Sequence, residues 1–379
     1  MKIVLVIDQF DDANNGTTIS ARRFATALKE HGNEVRVIAT GKPADYKYAV
    51  RQMRFFPIVE QLITSQGMRL AIPNRHVFEK AAAWADVVHF MMPSPLAVMG
   101  LRHVEKLGIP HTAAFHCQPE NITFTLHMGN SKRVNDFVYN RFRDTFFNRF
   151  THIHCPSNMI AGQLRQHGYT AQLHVISNGI SPQYVYGKGP KEDWMAGKFN
   201  VLMVGRYAGE KRQDVLIEAC CKSRYAAQIQ LILAGKGPLE KKYRNLAQKL
   251  PNPIVMEFYE PSRLLEILHM ADLYVHTSDA EIEAMSCMEA FACGLVPVIA
   301  NSPRSATPQF ALDEQSLFPA GDSAALAERI DWWFEHPAER SEMERRYAEH
   351  AKAYALEASI EQTEEMFRLA IAEQKQKRD

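Results

Sequence analysis

Two successive series of short apolar segments alternate with helical patterns along the 379-residue chain. The first series begins with Lys2 to Ile7 and Glu34 to Ala39, and the second begins with Phe199 to Val204 and Ile229 to Ala234. Continuous apolar runs of this length are typical of parallel strands that are buried on both faces. The alternation therefore predicts an α/β protein with two Rossmann-like, doubly wound parallel-sheet domains.

The remaining strands and helices place the domain boundaries. We expect an N-terminal domain at residues 1–180, a linker at 181–198 that is rich in glycine, proline and charge, and a C-terminal domain at 199–354. A long charged helix is predicted at about 340–373, and its last part, about 355–379, would pack back on the N-terminal domain. Ligands of such sheets bind beyond the carboxyl ends of the strands, so two facing domains would form a cleft between them.

Composition excludes several classes of protein. Hydrophobic residues at 46% and charged residues at 23% are ordinary for a globular protein, and no apolar stretch is long enough to span a membrane. The net charge of +1 conceals an asymmetry, because residues 1–185 hold 20 basic and 13 acidic side chains and residues 186–379 hold 24 and 30. No nucleic-acid-binding motif accompanies the basic half, so an anionic membrane surface is the favoured partner.

The cysteines and the N-terminus indicate a compartment. Six cysteines occur with no CxxC spacing, which favours buried, reduced thiols. The opening MKIVLVIDQF has neither the charged region nor the cleavage site of a signal peptide. We therefore expect a cytoplasmic protein that is peripheral on the inner face of the cell membrane.

Two glycine-containing loops follow predicted strands. Gly16 lies between the first strand and the first helix, where a glycine lets backbone amides approach a phosphate. Gly205 and Arg206 follow the strand Phe199 to Val204, and Lys211 comes five residues after Arg206. A guanidinium and an ammonium at the mouth of a parallel sheet suit a diphosphate, although surface charges on a loop would give the same pattern.

Two carboxylates frame the helix that follows the strand Leu273 to His276. Glu281 lies in the preceding loop and Glu289 lies on the helix itself. Backbone amides from Ile282 to Met285, including that of Ala284, would open this helix and could hold phosphate oxygens. The carboxylates could then accept hydrogen bonds from sugar hydroxyls.

One histidine follows a strand of the first domain. His116 comes directly after His111 to Phe115, which would aim its ring at the cleft. Glu120, four residues later, is the carboxylate nearest to it in sequence. We expect Glu120 on the side of the site that faces the second substrate, the acceptor. A lone histidine is more often structural than catalytic, so position alone carries this assignment.

Together these segments resemble family 4 of the glycosyltransferases, the retaining enzymes of the GT-B fold. The resemblance covers nearly the whole chain and is most specific in the E-x7-E pattern from Glu281 to Glu289, followed by GLVPVIA. The blocks VGRYAGEKRQDVLIEA, LILAGKGP, CPSNMIAGQL and VISNGI occur in the family's order. FHCQPENIT and ANSPRSATPQFALDEQSLF are similar to bacterial cholesterol and diacylglycerol α-glucosyltransferases. The family often has Phe-Gly after its first glutamate region, whereas this chain has Glu283-Ala284.

The resemblance implies a role for each candidate residue. Arg206 and Lys211 would hold the donor diphosphate, Glu289 the ribose, and Glu281 with the amides at 282–285 the transferred sugar. His116 would contact the sugar, the loop after Phe258 would hold the nucleobase, and Gly16 would let the first loop approach the phosphates. The implied reaction is a front-side, retaining transfer in which the leaving diphosphate takes the acceptor proton, with no metal and no cofactor.

The acceptor is inferred from charge. Basic residues interleave with aromatic ones in two stretches, 121–150 and 47–56. Such a surface suits interfacial contact with anionic lipid, although the aromatics could equally form core. We expect transfer of a hexose, with glucose and a UDP donor favoured, to a lipid hydroxyl such as that of diacylglycerol or a sterol. The alternatives are a soluble sugar or sugar-phosphate acceptor and a nucleotide-sugar epimerase.

Overall fold

The computed structural model describes residues 1–11, 16–56, 60, 64, 67–125 and 128–377. The chain forms two compact units. The first unit contains Met1–Pro119, Ser131–Asn178 and Leu356–Asp379, and the second contains Glu120–Asn130 and Gly179–Ala355. Each unit is built on one parallel sheet, as the alternating pattern predicts.

The first unit contains a seven-stranded sheet in the order β3-β2-β1-β4-β5-β6-β7. Its strands are β1 (Lys2–Val6), β2 (Glu34–Thr40), β3 (Lys47–Val50), β4 (Val87–Phe90), β5 (His111–Ala114), β6 (His152–Cys155) and β7 (Gln172–Val175). All six neighbouring pairs are parallel. The central strand β1 is buried from Ile3 to Val6, as its unbroken apolar run requires.

Helices cover this sheet. They span Gly16–Glu30, Arg75–Trp84, Pro95–Lys106, Lys132–Thr145 and Asn158–Gln166. The short helix Pro119–Thr125 belongs, from Glu120 onward, to the second unit. The C-terminal helix, Leu356–Gln376, also packs in the first unit. Its Ile360, Met366 and Phe367 are buried in one apolar cluster with Ile3 of β1 and Phe24 of the first helix. The end of the chain thus completes the core of the first unit.

The second unit contains a six-stranded sheet in the order β10-β9-β8-β11-β12-β13. Its strands are β8 (Phe199–Val204), β9 (Ile229–Ala234), β10 (Val255–Glu257), β11 (Leu273–His276), β12 (Pro297–Asn301) and β13 (Leu317–Pro319). All five pairs are parallel. Helices span Gln213–Lys222, Glu240–Leu246, Pro261–Met270, Met285–Ala292, Ser323–Glu335 and Pro337–Ala351.

The prediction of a single helix at about 340–373 is wrong. The chain instead forms Pro337–Ala351, a short 3₁₀ turn at Lys352–Tyr354 and then Leu356–Gln376. The break lies where the chain passes from the second unit to the first. Ile180 and Ala355 form an isolated parallel bridge there, and the Ile180 amide donates to the Tyr354 carbonyl at 2.8 Å. These backbone contacts cannot form within a continuous helix.

The cysteines and the apolar segments can be compared with the expectations above. Among the described residues all six cysteines are free thiols, four of them buried. No helix of the described part of the chain combines the length and the apolar character that a membrane span needs.

Buried histidines give the first unit an expected acid sensitivity. Burial and the nearby His154 ring lower the pKa of His89 to about 3, and burial lowers the pKa of His154 to about 4. The unfolded chain binds protons at these rings below a pH of about 6.5, whereas the folded chain does not until the pH falls to those lower values. Folding stability is therefore lost as the pH falls through this interval.

At pH 5.5 the two rings together are expected to lower the free energy of unfolding by about 2.5 kcal/mol relative to pH 7. Urea unfolding followed at the two pH values measures the loss. His76→Gln is a matched control, because the His76 side chain is 92% exposed; it should leave the loss unchanged. Equal stability of the wild type at both pH values would contradict the expectation.

Candidate functional site

Two cations lie at the carboxyl edge of the second sheet. Arg206 follows β8 through Gly205, and Lys211 ends a 3₁₀ turn, Gly209–Lys211. Their positions follow from the chain direction, because every parallel strand delivers its next loop to the same edge. The Thr277 hydroxyl, just after β11, donates to the Lys211 carbonyl at 2.8 Å and fixes this turn.

Glu281 meets Lys211 at this edge. The Lys211 ammonium forms an ion pair with Glu281 Oε1, and His276 Nε2 lies 3.1 Å from the same oxygen. Burial alone would raise the pKa of Glu281, but the Lys211 charge and the His276 hydrogen bond outweigh it and hold the pKa well below its usual range. Glu281 is therefore ionised at neutral pH and can only accept hydrogen bonds.

A chain of hydrogen bonds orients His276. Tyr274 Oη lies 3.3 Å from His276 Nδ1 and donates to Ser286 Oγ at 3.0 Å. Ser286 Oγ in turn donates to the Val204 carbonyl at 3.2 Å, at the end of β8. Since burial raises the pKa of Tyr274 well above its usual value, its hydroxyl keeps the proton. These hydrogen bonds hold the His276 ring, which contacts Glu281, in a fixed orientation against the sheet.

Arg206 has its own carboxylate partner. Arg206 Nη2 donates to Glu210 Oε1 at 2.7 Å, and Glu210 is buried. The Gln213 side chain donates to the Arg206 carbonyl at 2.8 Å. The guanidinium is only partly exposed and its backbone is held, so it is directed by its neighbours rather than solvated on all sides.

The loop that carries Glu281 is pinned and strained. The Ala306 amide donates to the Glu281 carbonyl at 3.0 Å, and Glu281 and Ser305 form a parallel bridge. Ala284 adopts φ 62° and ψ 66°, a left-handed conformation that favours glycine. The glycosyltransferase family that the sequence resembles often has glycine in this region. Ala284 adopts the backbone conformation that a glycine would adopt, at some cost in strain.

The helix Met285–Ala292 begins directly after this strained residue. Among the residues that the structure describes, its N-cap residue, Ala284, makes no side-chain capping hydrogen bond. Its N-terminal amides carry partial positive charge beside Lys211 and Glu281, which is an arrangement that binds anions. Glu289 lies on this helix and is half-buried.

Phe258 lies at the end of the edge strand of the second sheet, β10. It follows β10 directly, its ring is exposed, and the Lys236 ammonium lies 4.1 Å from the ring centroid. An exposed aromatic ring at this edge can stack on a planar base.

Glycines bring two loops close together beside Arg206. A Cβ on Gly235 would lie 2.0 Å from the Gly205 carbonyl oxygen, and one on Gly237 would lie 2.5 Å from the Tyr207 carbonyl oxygen. The Tyr207 amide donates to the Lys236 carbonyl at 3.1 Å across this contact. Only glycine permits this approach, which fixes the loop that bears Arg206.

The remaining sequence candidates divide between the units. His116 lies after β5, its ring is 5.1 Å from the His154 ring, and burial first, then His154 and His89, hold its pKa well below the usual value. His116 is therefore neutral. Gly16 is the exposed first residue of its helix. Glu120 is buried and belongs to the second unit.

Three buried polar residues at the strand ends were missed from the sequence. They are His276 and Glu210, the partners of Glu281 and Arg206, and Asp8, whose carboxylate accepts the Ala71 amide at 2.8 Å. Burial raises the pKa of Asp8 to about 6. The available signal was position, since Asp8 follows β1 by two residues and His276 ends β11.

The structure has two parallel-sheet α/β units, with the cations Arg206 and Lys211 at the carboxyl edge of the second sheet. Comparison with known families agrees. Residues 14–184 match the model of Glycosyltransferase Family 4, and residues 190–354 match that of Glycosyl transferases group 1. The chain thus has the GT-B fold, with a Glycosyltransferase Family 4 domain followed by a Glycosyl transferases group 1 domain.

Individual relatives are similar over different shares of the chain. The EpsD protein of Bacillus subtilis (strain 168) is 32% identical over 54% of this chain and 55% of its own length. The catalytic domain of cholesterol-α-glucosyltransferase from Helicobacter pylori is 51% identical over 41% of this chain and 99% of that domain, with a TM-score of 0.41. Anabaena HepE, solved with UDP and glucose, is 17% identical over 97% of this chain and 99% of its own, with a TM-score of 0.74. The chain spans about half the length of the curated relatives it matches.

Proposed function

We propose that the protein is a retaining hexosyltransferase that moves a sugar, with glucose favoured, from a UDP-linked donor to the hydroxyl of a membrane lipid. The observation that carries this proposal is that Arg206, Lys211 and Glu281 lie at the carboxyl edge of the second sheet, where the helix Met285–Ala292 begins. The similarity to HepE, which binds UDP and glucose, supports the choice of donor.

The donor diphosphate would be held by charge and by backbone. Arg206 supplies a planar fork, Lys211 a point charge, and the helix a set of amides. The ionised Glu281 carboxylate forms an ion pair with the Lys211 ammonium and holds it at this edge. In the transition state negative charge grows on the leaving diphosphate, and these groups stabilise it without reorganisation.

The sugar and the nucleoside would be held by the remaining residues. Glu281 has a second carboxylate oxygen that can accept from a sugar hydroxyl, while His276 fixes the first. Glu289 would accept from the ribose, and Phe258 would lie against the base. His116, being neutral, can donate or accept one hydrogen bond to the sugar without adding charge.

The proposed chemistry is a front-side transfer. The bond between the anomeric carbon and the diphosphate oxygen breaks, the acceptor oxygen bonds to the same face, and the acceptor proton passes to the leaving diphosphate. The configuration at the anomeric carbon is thereby retained. Arg206 and Lys211 supply the positive charge, so we propose that no metal is needed.

The lipid acceptor is proposed from the surface of the first unit. Lys132, Arg133, Phe137 and Arg141 are exposed on the helix Lys132–Thr145, and Phe137 is 68% exposed. Residues 133, 137 and 141 are each four apart and share one helix face. A basic face with an exposed aromatic ring suits contact with anionic lipid.

The prediction that both basic and aromatic stretches form a membrane-contact surface is wrong in part. Most aromatics of this stretch are core residues: Tyr139, Phe146, Phe147 and Phe150 are buried. Arg149 pairs with Glu105, and Lys47 of the other stretch is buried against Asp11 at 2.6 Å. The proposed contact is therefore limited to the exposed helix face and to the exposed residues of 51–56.

A donor and acceptor panel tests the proposal. UDP-, GDP- and ADP-glucose are each offered with diacylglycerol, a sterol, glucose and glucose phosphate, and product mass and anomeric configuration are recorded. We expect an α-glucoside of a lipid from UDP-glucose, at a rate unchanged by EDTA. Product only on soluble acceptors would move the acceptor to that class, and donor consumption without any glycoside would indicate an epimerase. A β-glycoside or a loss of activity in EDTA would contradict the mechanism.

A further inference from the structure

A cavity lies in the first unit, at the carboxyl ends of β2 and β3. Its volume is about 470 Å³. Gly41, which follows β2, and Val50, which ends β3, form part of its wall, and Arg51 and Arg54 extend that wall. Both arginines are exposed. This cavity is separate from the second unit, where the proposed donor residues Arg206, Lys211 and Glu281 lie.

The two arginines are uncompensated. Among the residues that the structure describes, neither side chain has an ion-pair or hydrogen-bond partner. Of the nearby acids, Asp11 is already neutralised by Lys47, whose ammonium lies 2.6 Å from its carboxylate. The Glu60 carboxylate accepts the Phe55 amide, next to Arg54, at 2.9 Å and forms no ion pair with either arginine among the described residues. Two guanidinium groups at one cavity, without carboxylates of their own, favour an anion.

The backbone that carries the arginines is fixed. The Ile72 amide donates to the Arg51 carbonyl at 2.7 Å, Gln52 and Ala71 form an antiparallel bridge, and the Met53 amide donates to the Leu70 carbonyl at 2.8 Å. The buried Asp8 accepts the Ala71 amide and thereby anchors this ladder to β1. The ladder thus holds the backbone from Arg51 to Met53, directly before Arg54.

A helix N-terminus completes the cavity. Asn74 lines it and caps the helix Arg75–Trp84, with its side chain accepting the Val77 amide at 3.2 Å. The amides of the first turn carry partial positive charge, which adds to that of the arginines.

We infer that this cavity binds a phosphate group through Arg51 and Arg54. Phosphate matches the forked geometry of a guanidinium and the amides of a helix end. The source is either the headgroup of an anionic phospholipid or a phosphate on a soluble molecule. The lipid source rests on the proposed function, because it would hold the first unit against the membrane that supplies the acceptor.

The test compares Arg51→Gln/Arg54→Gln with a matched control, Arg102→Gln/Lys106→Gln. Arg102 and Lys106 are exposed cations near the end of the helix Pro95–Lys106. Helices of a parallel sheet run opposite to the strands, so this helix end lies at the other edge of the same sheet. Each variant removes two charges from the same unit.

Binding is measured by co-sedimentation with phosphatidylcholine vesicles, with and without phosphatidylglycerol, and by calorimetry with inorganic phosphate and glycerol phosphate. The arginine variant is expected to bind the anionic vesicles about thirtyfold more weakly than the wild type, and the control variant much less so. If the arginine variant loses binding to the anionic vesicles alone, the ligand is the lipid headgroup. If it also loses binding to the soluble phosphates, the cavity binds phosphate from either source. Loss confined to the soluble phosphates assigns a soluble ligand.

Unchanged binding of every probe by the arginine variant, or an equal loss in the control, would overturn the inference. Calorimetry with UDP on the same samples separates this outcome from failure of the proposed function. If the wild type does not bind UDP, the proposed function fails whatever the vesicles show. If UDP binds normally to both variants, a vesicle result reports on the cavity alone.

Discussion

Replacement of Lys211 with alanine is expected to lower kcat/KM for sugar transfer by about 10²- to 10³-fold. The ammonium lies at the carboxyl edge of the second sheet, where charge would develop on the leaving diphosphate. Removing it also leaves the buried Glu281 carboxylate without its ion-pair partner. Steady-state rates with varied donor and saturating acceptor measure the effect, and kcat should fall because the interaction strengthens in the transition state.

Lys241→Ala is the matched control for this variant. Lys241 is exposed on the helix Glu240–Leu246 of the same unit. Its removal should leave kcat/KM within about twofold of the wild type, since exposed charges of this kind interact weakly. A Lys211→Ala enzyme with a normal rate would exclude this lysine from the site.

Substitution of Glu281 is expected to affect both activity and stability. Glu281→Gln keeps the shape but removes the charge that balances Lys211, and we expect kcat/KM to fall about a hundredfold. Glu281→Ala should lower activity at least as far and cost about 2 kcal/mol of unfolding free energy. Fully buried pairs cost more, but the Lys211 side chain is 21% exposed and can reach water.

Activity and urea unfolding measured on the same preparations separate the two effects. Glu328→Gln, an exposed glutamate on the helix Ser323–Glu335, should change neither. A Glu281→Gln enzyme that is destabilised yet fully active per folded molecule would assign Glu281 a purely structural role. Full activity and full stability would remove it from the site altogether.

Periodicity predicted the sheets well, and for a physical reason. Strands such as β1 and β8 are buried on both faces, so nearly all of their residues are apolar and the run is visible in the sequence. β3, Lys47–Val50, was not predicted, because it lies at the edge of its sheet and is short and only partly buried. A lysine at its start gives no strand signal, although Lys47 is buried through its pair with Asp11.

Contacts that are distant in sequence explain the other differences. The helical pattern of 340–373 continues through Lys352–Tyr354, so nothing local marks the break that the bridge from Ile180 to Ala355 imposes. Likewise the phenylalanines of 142–150 alternate with arginines, and only the packed structure separates buried Phe146 and Phe147 from exposed Phe137 on the preceding helix.

The sequence predicts which residues lie at the candidate site, but not which side chains pair with one another there. Arg206, Lys211 and Glu281 follow strands, which places them at one edge. The partner of Glu281, His276, is the last residue of β11, and its ring depends on Tyr274 and Ser286 for orientation. No sequence pattern specifies such a network, because it joins β8, β11 and a helix.

Calorimetric comparison of UDP with uridine tests the central claim most directly, namely that the second unit grips a diphosphate by its cations and a helix end. We predict that UDP binds the wild type at least about a hundredfold more tightly than uridine, in EDTA as well as without it, and that Lys211→Ala removes most of the difference. Equal affinities for UDP and uridine, or a difference that persists undiminished in Lys211→Ala, would contradict the account.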